Sequence, residues 1–204
     1  DWRLPTRLEL ASLVDYTRVS PAIDTSRFAN TPNAAFWSSV SSARLPTSSY
    51  AIDFTDGSVL LVAQGTVAQV RCVRTLGTTP SGALVDNGNG TVTDMRTGLL
   101  WQQTMSIDVN FSLATSTCAS LTLGGLPAGS WRLPTVKELL GIVSETATSA
   151  PYIDGVRFPA TNFSPFWTMT PAADASGYWW VDFGSDGVTS TNSVSSSTRS
   201  RCVH

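Results

Sequence analysis

Two stretches of the chain have apolar residues at the spacing of an amphipathic helix. Residues three and four apart lie on one face of a helix, so this spacing predicts helices at about 7–18 and 136–146, each burying one face. The residues that carry the pattern are Leu10, Leu13 and Val14 in the first stretch and Val136, Leu139, Leu140 and Val143 in the second.

Each predicted helix follows a start signal. Thr6-Arg7-Leu8-Glu9 and Thr135-Val136-Lys137-Glu138 have the S/T-x-x-E spacing of a capping box. In this arrangement the threonine hydroxyl accepts from the glutamate N–H, and the glutamate side chain accepts from the threonine N–H. We therefore expect the helices to begin directly after Thr6 and Thr135.

Alternation of large with small or polar side chains indicates strands farther along the chain. Segments 50–54 and 178–183 alternate in this way and end at Asp-Gly turns. Segments 36–39 and 166–168 are typical of strand starts, and segments 70–73 and 201–203 of closing strands. Asn-Gly within Asp86–Asp94, between apolar runs, predicts a hairpin. A further helix is expected at about 108–121.

The chain contains an internal repeat. The pentapeptide Trp2-Arg3-Leu4-Pro5-Thr6 recurs as Trp131-Arg132-Leu133-Pro134-Thr135, and Phe36-Trp37 and Arg71-Cys72-Val73 recur as Phe166-Trp167 and Arg201-Cys202-Val203. A period near 130 residues suits a whole small domain better than a solenoid unit. We predict an incomplete first copy at 1–74, a linker at 75–82 and a complete second copy at 83–204. The first copy has no counterpart of 83–129, which we expect to lie in a longer protein or to come from another polypeptide.

Composition excludes several classes of protein. Charged residues make up 14% of the 204 residues, against about 25% in an average globular chain. The net charge is −2, so no overall positive field would attract nucleic acid or acidic lipid. No apolar run approaches the roughly 18 residues of a transmembrane helix. We therefore expect a protein that neither binds nucleic acid nor spans a membrane.

Several separated motifs resemble those of one bacterial family. In chain order they are the Asp86–Asp94 stretch, Gly98-Leu99-Leu100-Trp101, Cys118, the pentapeptide at 131–135, Phe166-Trp167 and Arg201-Cys202-Val203. Their order is similar to that of the DUF1566 domain, also known as the C-terminal domain of the Legionella collagen-like adhesin. The resemblance covers 83–204 and the last two-thirds of a first copy at 1–74.

The resemblance implies an α+β fold of the C-type-lectin-like kind, related to formylglycine-generating enzymes. Such a fold has small twisted antiparallel sheets, two helices per complete copy and long ordered loops. It also implies an exported protein, extracellular or at the cell surface, that meets a glycan or protein ligand. The adhesin that names the family binds sulfated glycans, which the acidic pI near 5.2 of this chain does not favour.

The three cysteines are expected to divide unequally in an exported protein. A disulfide between Cys118 and Cys202 would tie the second predicted helix of the complete copy to its last strand. Cys72 has no counterpart of Cys118 in the first copy. It is therefore expected to be free, or bonded to the missing segment or to another molecule.

Patterns for catalysis and for metal binding are weak. His204 is the only histidine, so a serine or cysteine nucleophile has a single possible imidazole base at the end of the sequence. The chain has neither C-x-x-C nor H-x-x-x-H spacing for zinc. Calcium at Asp86–Asp94 is an alternative to a plain hairpin, although the EF-hand spacing is not met there. We expect no enzymatic activity and no cofactor, with a formylglycine-generating-like enzyme as the minority alternative.

The repeated motifs are interpreted as structural, with the tryptophans in the core and each arginine paired with the nearby glutamate. These residues are Trp2, Arg3, Pro5, Thr6 and Glu9 in the first copy and Trp131, Arg132, Pro134, Thr135 and Glu138 in the second. Ligand contacts are expected where the copies differ and where an aromatic run is exposed. The candidates are Tyr178, Trp179, Trp180, Thr168, Ser38 and Ser39.

These interpretations favour a non-enzymatic binding or adhesion module that presents loops on a rigid frame. The alternative is a structural subunit of a surface filament or assembly, whose first copy is completed by another chain and whose partners are neighbouring copies of itself.

Overall fold

A computed structural model describes residues 1–74 and 83–204, and the predicted linker at 75–82 lies outside them. We refer to 1–74 as the N-terminal segment and to 83–204 as the C-terminal segment. The described residues form an α+β fold with three antiparallel sheets of three strands each and a few short helices. This confirms the predicted fold class at that level.

The elements follow one another in a similar order in the two segments. The N-terminal segment contains α1 (Arg7–Ser12), β1 (Ala35–Ser41), β2 (Ser48–Asp53) and β3 (Val59–Ala63). The C-terminal segment begins with β4 (Leu84–Asp86), β5 (Thr91–Asp94), β6 (Leu100–Gln102) and α2 (Phe111–Ser120). It continues with α3 (Val136–Gly141), β7 (Pro165–Pro171), β8 (Tyr178–Asp182) and β9 (Val188–Asn192).

Both capping boxes are present, and α1 and α3 begin where predicted. The N–H of Glu9 donates to the Thr6 hydroxyl at 3.2 Å, and the N–H of Thr6 donates to the Glu9 carboxylate at 2.7 Å. The bonds between Thr135 and Glu138 have the same lengths. Short local signals therefore set both helix starts.

Both helices end earlier than predicted, at Ser12 and Gly141 instead of near 18 and 146. Val14 and Val143 continue the helical spacing but leave the helix to form antiparallel β-bridges with Ile23 and Ile153. Their apolar side chains are buried through these tertiary contacts, so the sequence spacing extends beyond the helix itself.

The sheets β1-β2-β3 and β7-β8-β9 have the same strand order and matching registers. Phe36 lies opposite Ile52 in one sheet and Phe166 opposite Val181 in the other. The third strands, β3 and β9, were not predicted. The predicted closing strands at 70–73 and 201–203 are reduced to isolated bridges, in which Val73 pairs with Arg3 and Val203 with Arg132.

One hydrophobic core is common to the two segments. Helix α1 contacts α3 there, and β3 contacts β9. The rings of Tyr16 and Trp179 meet edge to face with centroids 5.2 Å apart, and the N–H of Val59 donates to the Thr189 hydroxyl at 2.8 Å. The segments are thus joined by apolar packing and by hydrogen bonds.

Buried polar groups cross the same interface. Arg7 is fully buried, with its Nε 3.1 Å from Glu145 Oε1 and its Nη1 donating to the Asp186 carbonyl at 3.2 Å. The Arg7 guanidinium also lies over the Tyr50 ring, 4.8 Å from its centroid. Burial raises the pKa of Tyr50 to about 12, so its phenol is neutral beside this cation.

The sheet β4-β5-β6 and helix α2 cover one end of the C-terminal segment. The predicted hairpin at Asp86–Asp94 is present, with β4 paired to β5. Helix α2 packs Ala114 and Cys118 against a second apolar cluster that contains Trp131 and Trp167. The predicted disulfide joins Cys118 to Cys202, and Cys72 is free and exposed.

The N-terminal pentapeptide corrects one expectation. Trp2 was expected in the core, yet its side chain is 71% exposed, whereas Trp131 is 2% exposed. The physical reason is that Trp131 packs under α2, and no described residue covers Trp2 in the same way. Identical pentapeptides therefore differ in burial.

Candidate binding cleft

The structure buries three of the residues expected to contact a ligand. Trp179 is 3% exposed and packs against Tyr16, so the expectation of an exposed Trp179 is wrong. The hydroxyls of Thr168 and Ser38 donate to the carbonyls of Trp179 and Tyr50, each at 2.8 Å, and both residues are buried. These side chains hold their strands together.

The other three candidates remain accessible but are not gathered at one place. Ser39 is exposed on β1, and Tyr178 and Trp180 are half-buried on β8. Of these three, Tyr178 lines a surface cavity of about 310 Å³ in the C-terminal segment. We call this cavity the aromatic cleft; its main lining residues are Phe111, Thr115, Trp131, Arg132, Met169 and Tyr178.

The aromatic wall of the cleft is built by the start of α2 and the start of β8. Phe111 and Tyr178 are stacked, with ring centroids 3.6 Å apart and planes inclined by 17°. Phe111 also meets Trp167 edge to face at 5.7 Å. The Trp167 indole N–H donates to the Val109 carbonyl at 2.9 Å, which fixes the chain just before α2. The stacked pair is therefore held from beneath by a buried ring.

Asn110 sets the position of Phe111. Its side-chain oxygen accepts from the N–H of Leu113 at 2.9 Å and so caps the first turn of α2. Phe111 is the first helical residue, and its N–H donates to the Val194 carbonyl at 3.3 Å. The ring is thus anchored at a helix start.

Arg132 forms the polar side of the cleft and is paired with Glu138 beside it. Arg132 donates to both carboxylate oxygens of Glu138, at 2.8 and 2.7 Å. Burial acts to raise the pKa of Glu138, but hydrogen bonds from Arg132 and the Thr135 N–H outweigh it and lower that pKa. Arg132 Nη1 also lies 3.8 Å from the Met169 sulfur, which joins the ion pair to the apolar floor.

The cleft offers stacking surface and hydrogen-bonding groups. Arg132 and Glu138 remain 42% and 20% exposed at their side chains, so both groups can still meet a ligand. The expected pairing of each pentapeptide arginine with its glutamate is confirmed, since Arg3 and Glu9 form the equivalent pair at 2.6 Å. Such an arrangement suits recognition of a small polar molecule with an apolar face.

The carboxylate of Asp86 holds the hairpin at Asp86–Asp94 in place. Asp86 accepts from the N–H of Gly88 at 2.9 Å and from the Gln103 side chain at 3.0 Å. Within residues 1–74 and 83–204, no three His, Cys, Asp or Glu side chains form a group that could hold a metal ion. Calcium was the alternative at this hairpin, and the contacts of Asp86 are those of a turn.

Sequence reasoning missed Phe111 and Met169. The only local signal for Phe111 was the Asn110 cap, which places an aromatic residue at a helix start but names no partner. Phe111 and Tyr178 are far apart in sequence and share no periodicity. Met169, on β7, is 43% exposed and provides a second apolar group at the cleft.

A comparison with protein families gives one match. The model described as Lcl C-terminal domain matches residues 1–74 and 90–204. No curated protein and no solved structure matches the chain. Among the described residues, no helix has the length and apolar character needed to cross a membrane. Because this match spans most of the sequence, the chain belongs to the Lcl C-terminal domain family.

Proposed function

We propose that the protein is a non-enzymatic extracellular binding module that recognises glycan in the aromatic cleft. The proposal includes a C-type-lectin-like frame used twice as a tandem repeat. The observation that carries it is the stacked pair Phe111–Tyr178 beside the exposed Arg132–Glu138 ion pair. Phe111, Tyr178 and Arg132 line one cavity, and Glu138 lies beside it, bonded to Arg132.

The chemistry of a sugar matches both sides of the cleft. One face of a pyranose ring presents C–H groups, which pack on aromatic rings, and its hydroxyls both donate and accept hydrogen bonds. Arg132 supplies donors only and Glu138 acceptors only. A volume of about 310 Å³ is at the small end of ligand sites, which favours one or two sugar units.

The charge of the cleft favours a neutral glycan. Glu138 offsets the charge of Arg132 through its two hydrogen bonds, and the whole chain has a net charge of −2. A sulfated ligand would meet no excess of positive charge here. Binding should therefore depend only weakly on salt.

The disulfide supports the location of the protein in an oxidising compartment. Bonds such as Cys118–Cys202 form and persist in secreted and cell-surface proteins, and they are rare where glutathione keeps thiols reduced. Family membership is compatible with this location. We therefore place the proposed binding activity outside the cell.

The test is a glycan array followed by calorimetry on any hit, using the parent protein and two variants. Tyr178→Ser introduces the residue found at the equivalent strand position, Ser49, and removes half of the stacked pair. We expect affinity to fall about tenfold or more, as for an aromatic hot spot. Trp180→Ala is the matched control, because Trp180 is a half-buried aromatic residue on the same strand but outside the cleft.

Two outcomes would contradict the proposal. One is a parent protein that binds no glycan on the array. The other is loss of binding in Trp180→Ala with full binding in Tyr178→Ser, both variants having the circular dichroism spectrum of the parent. The second outcome would move the site to the middle of β8, around Trp180.

A further inference from the structure

A set of side chains, most of them apolar, is uncovered in the N-terminal segment at positions that are covered in the C-terminal segment. We call it the open face and define it by Trp2, Phe28, Trp37, Arg71, Cys72 and Val73. Their equivalents are Trp131, Phe158, Trp167, Arg201, Cys202 and Val203, all of which are buried. Trp2 and Cys72 are exposed, and the other four are half-buried.

The open face has the shape of a groove. A cavity of about 480 Å³ runs between Trp2, Phe28, Arg71 and Cys72. In the C-terminal segment the same place is filled by β6 and α2, which bring in the fully buried Trp101 and the disulfide partner Cys118. Within residues 1–74 and 83–204 nothing equivalent fills the groove.

The backbone at Cys72 and Arg74 is an open strand edge. In the C-terminal segment, the N–H of Gln102 donates to the Cys202 carbonyl at 2.9 Å. Leu100 and His204 also exchange two backbone hydrogen bonds, at 3.1 and 2.9 Å. Among the described residues, none makes the corresponding bonds to Cys72 or Arg74. The edge can therefore accept one more strand.

Within residues 1–74 and 83–204, the Arg71 side chain also lacks hydrogen bonds that its equivalent, Arg201, makes. Arg201 donates from Nη2 to the Thr161 hydroxyl at 2.8 Å and from Nη1 to three successive carbonyls, those of Gln102, Gln103 and Thr104. Arg71 keeps only the first of these contacts, with Nη2 donating to the Thr31 hydroxyl at 2.8 Å. The Nε atoms of Arg71 and Arg201 are both buried without a hydrogen-bond partner in the described part of the chain, so the two arginines differ at Nη1.

The aromatic support beneath the two arginines is nevertheless the same. Arg71 lies over Phe28 and Phe36 at 4.9 and 5.5 Å, and Arg201 over Phe158 and Phe166 at 4.5 and 5.7 Å. The guanidinium of Arg71 is thus held in the orientation that binds the three carbonyls in the other segment. Only the acceptors are missing from the described residues.

We propose that the open face binds a polypeptide segment that has the chemistry of residues 83–130. This segment pairs as a strand with the edge at Cys72 and Arg74, supplies carbonyls to Arg71, inserts an apolar ring beside Val73 and forms a disulfide with Cys72. It is not residues 83–130 of a second copy of this chain, because those are bonded to their own Cys202 and cover their own apolar cluster. This inference goes beyond glycan binding and does not depend on it.

The covalent step needs an oxidant of the disulfide class. The Cys72 thiol and the thiol of the incoming segment together lose two protons and two electrons, and one sulfur–sulfur bond forms. The oxidant's own sulfur–sulfur bond breaks, and it leaves as two thiols.

The experiment uses the whole protein and a synthetic peptide of residues 83–130 in a buffer of oxidised and reduced glutathione. We expect a one-to-one disulfide adduct through Cys72, formed at least about tenfold faster than with a scrambled peptide, because docking raises the effective concentration of the thiol. The adduct is identified by mass spectrometry of proteolytic fragments. Amide hydrogen exchange at Arg74 should slow in the same sample.

Cys72→Ser separates docking from thiol reactivity. This variant should form no adduct but should still slow exchange at Arg74 when the peptide is present, since the strand pairing and the Arg71 contacts remain. Equal adduct rates for the native and scrambled peptides would overturn the proposal. So would a Cys72–Cys72 dimer as the main product, because it would make a second copy of the chain the occupant.

Discussion

Arg7 and Glu145 form an ion pair across the interface between the two segments, with Nε 3.1 Å from Oε1 and the arginine side chain fully buried. Arg7→Ala should lower the free energy of unfolding by about 3 kcal/mol, since it removes one partner of a buried pair and a donor to the Asp186 carbonyl. The remaining carboxylate is 28% exposed and can be partly hydrated, which keeps the cost at the low end. Urea unfolding measures the difference.

Arg18→Ala is the matched control for this change. Arg18 pairs with Asp15 at 2.9 Å, but its side chain is 49% exposed. Its loss should cost less than about 1 kcal/mol. Equal costs for the two variants would show that Arg7 contributes no more than a surface ion pair.

Gly187 allows the β8–β9 turn to pack closely against Val143, which lies just after α3. Its φ is +72°, and a Cβ there would lie 2.6 Å from a methyl carbon of Val143. Gly88 has almost the same φ, +71°, with open space around it. Gly187→Ala should therefore destabilise the protein by about 1–3 kcal/mol more than Gly88→Ala, because only the first adds a clash to the backbone strain. Thermal unfolding of both variants tests this, and equal melting temperatures would contradict it.

Acid should weaken the contribution of Glu9 to the free energy of unfolding. The hydrogen bond from Arg3 lowers the pKa of Glu9 to about 2, from its usual 4.5. A lowered carboxylate pKa gives stability that is fully present above the unfolded value and is lost as the pH falls toward the folded value. The stability difference between the parent and Glu9→Gln should thus be constant above about pH 5 and shrink toward pH 2.

Glutamine is chosen because it can still accept from the Thr6 N–H and keep the capping box. The comparison then isolates the charge. Urea unfolding at a series of pH values is the measurement, and a difference that does not change between pH 5 and 2 would refute the assignment.

Trp2 and Trp131 occupy the same place in identical pentapeptides but should respond differently to alanine. Trp131 is 2% exposed, so Trp131→Ala should cost about 3–5 kcal/mol. Trp2 is 71% exposed, so Trp2→Ala should stay within about 0.5 kcal/mol of the parent. Denaturant unfolding of the two variants decides this. Similar losses would mean that Trp2 is covered in solution.

Several features that the sequence predicted correctly are set by interactions between residues close together in the chain. The capping boxes at Thr6 and Thr135 act within four residues, and the hairpin at Asp86–Asp94 closes on itself. The helix ends could not be predicted in this way. Val14 and Val143 have helical spacing but are buried through bridges to Ile23 and Ile153, which lie beyond the helix.

Burial depended on which elements meet, and the sequence pattern did not contain that information. Alternation along β8 correctly separates Trp179 from Tyr178, but the face that carries Trp179 is covered by the other segment through Tyr16. The aromatic cleft needs Phe111 to reach Tyr178 across the fold. The cysteine pairing was predictable, because the domain division left Cys118 and Cys202 together in one segment.

The disulfide also determines how the protein would respond to a stretching force. If the chain were pulled by its two ends, tension would pass directly from Cys118 to Cys202, whose positions differ by 84. The residues between them would carry no tension and would add nothing to the extension, a saving of roughly 280 Å of extended chain. Reduction would release this hidden length, so the pulled chain would be shorter with the disulfide formed and longer once its thiols were reduced.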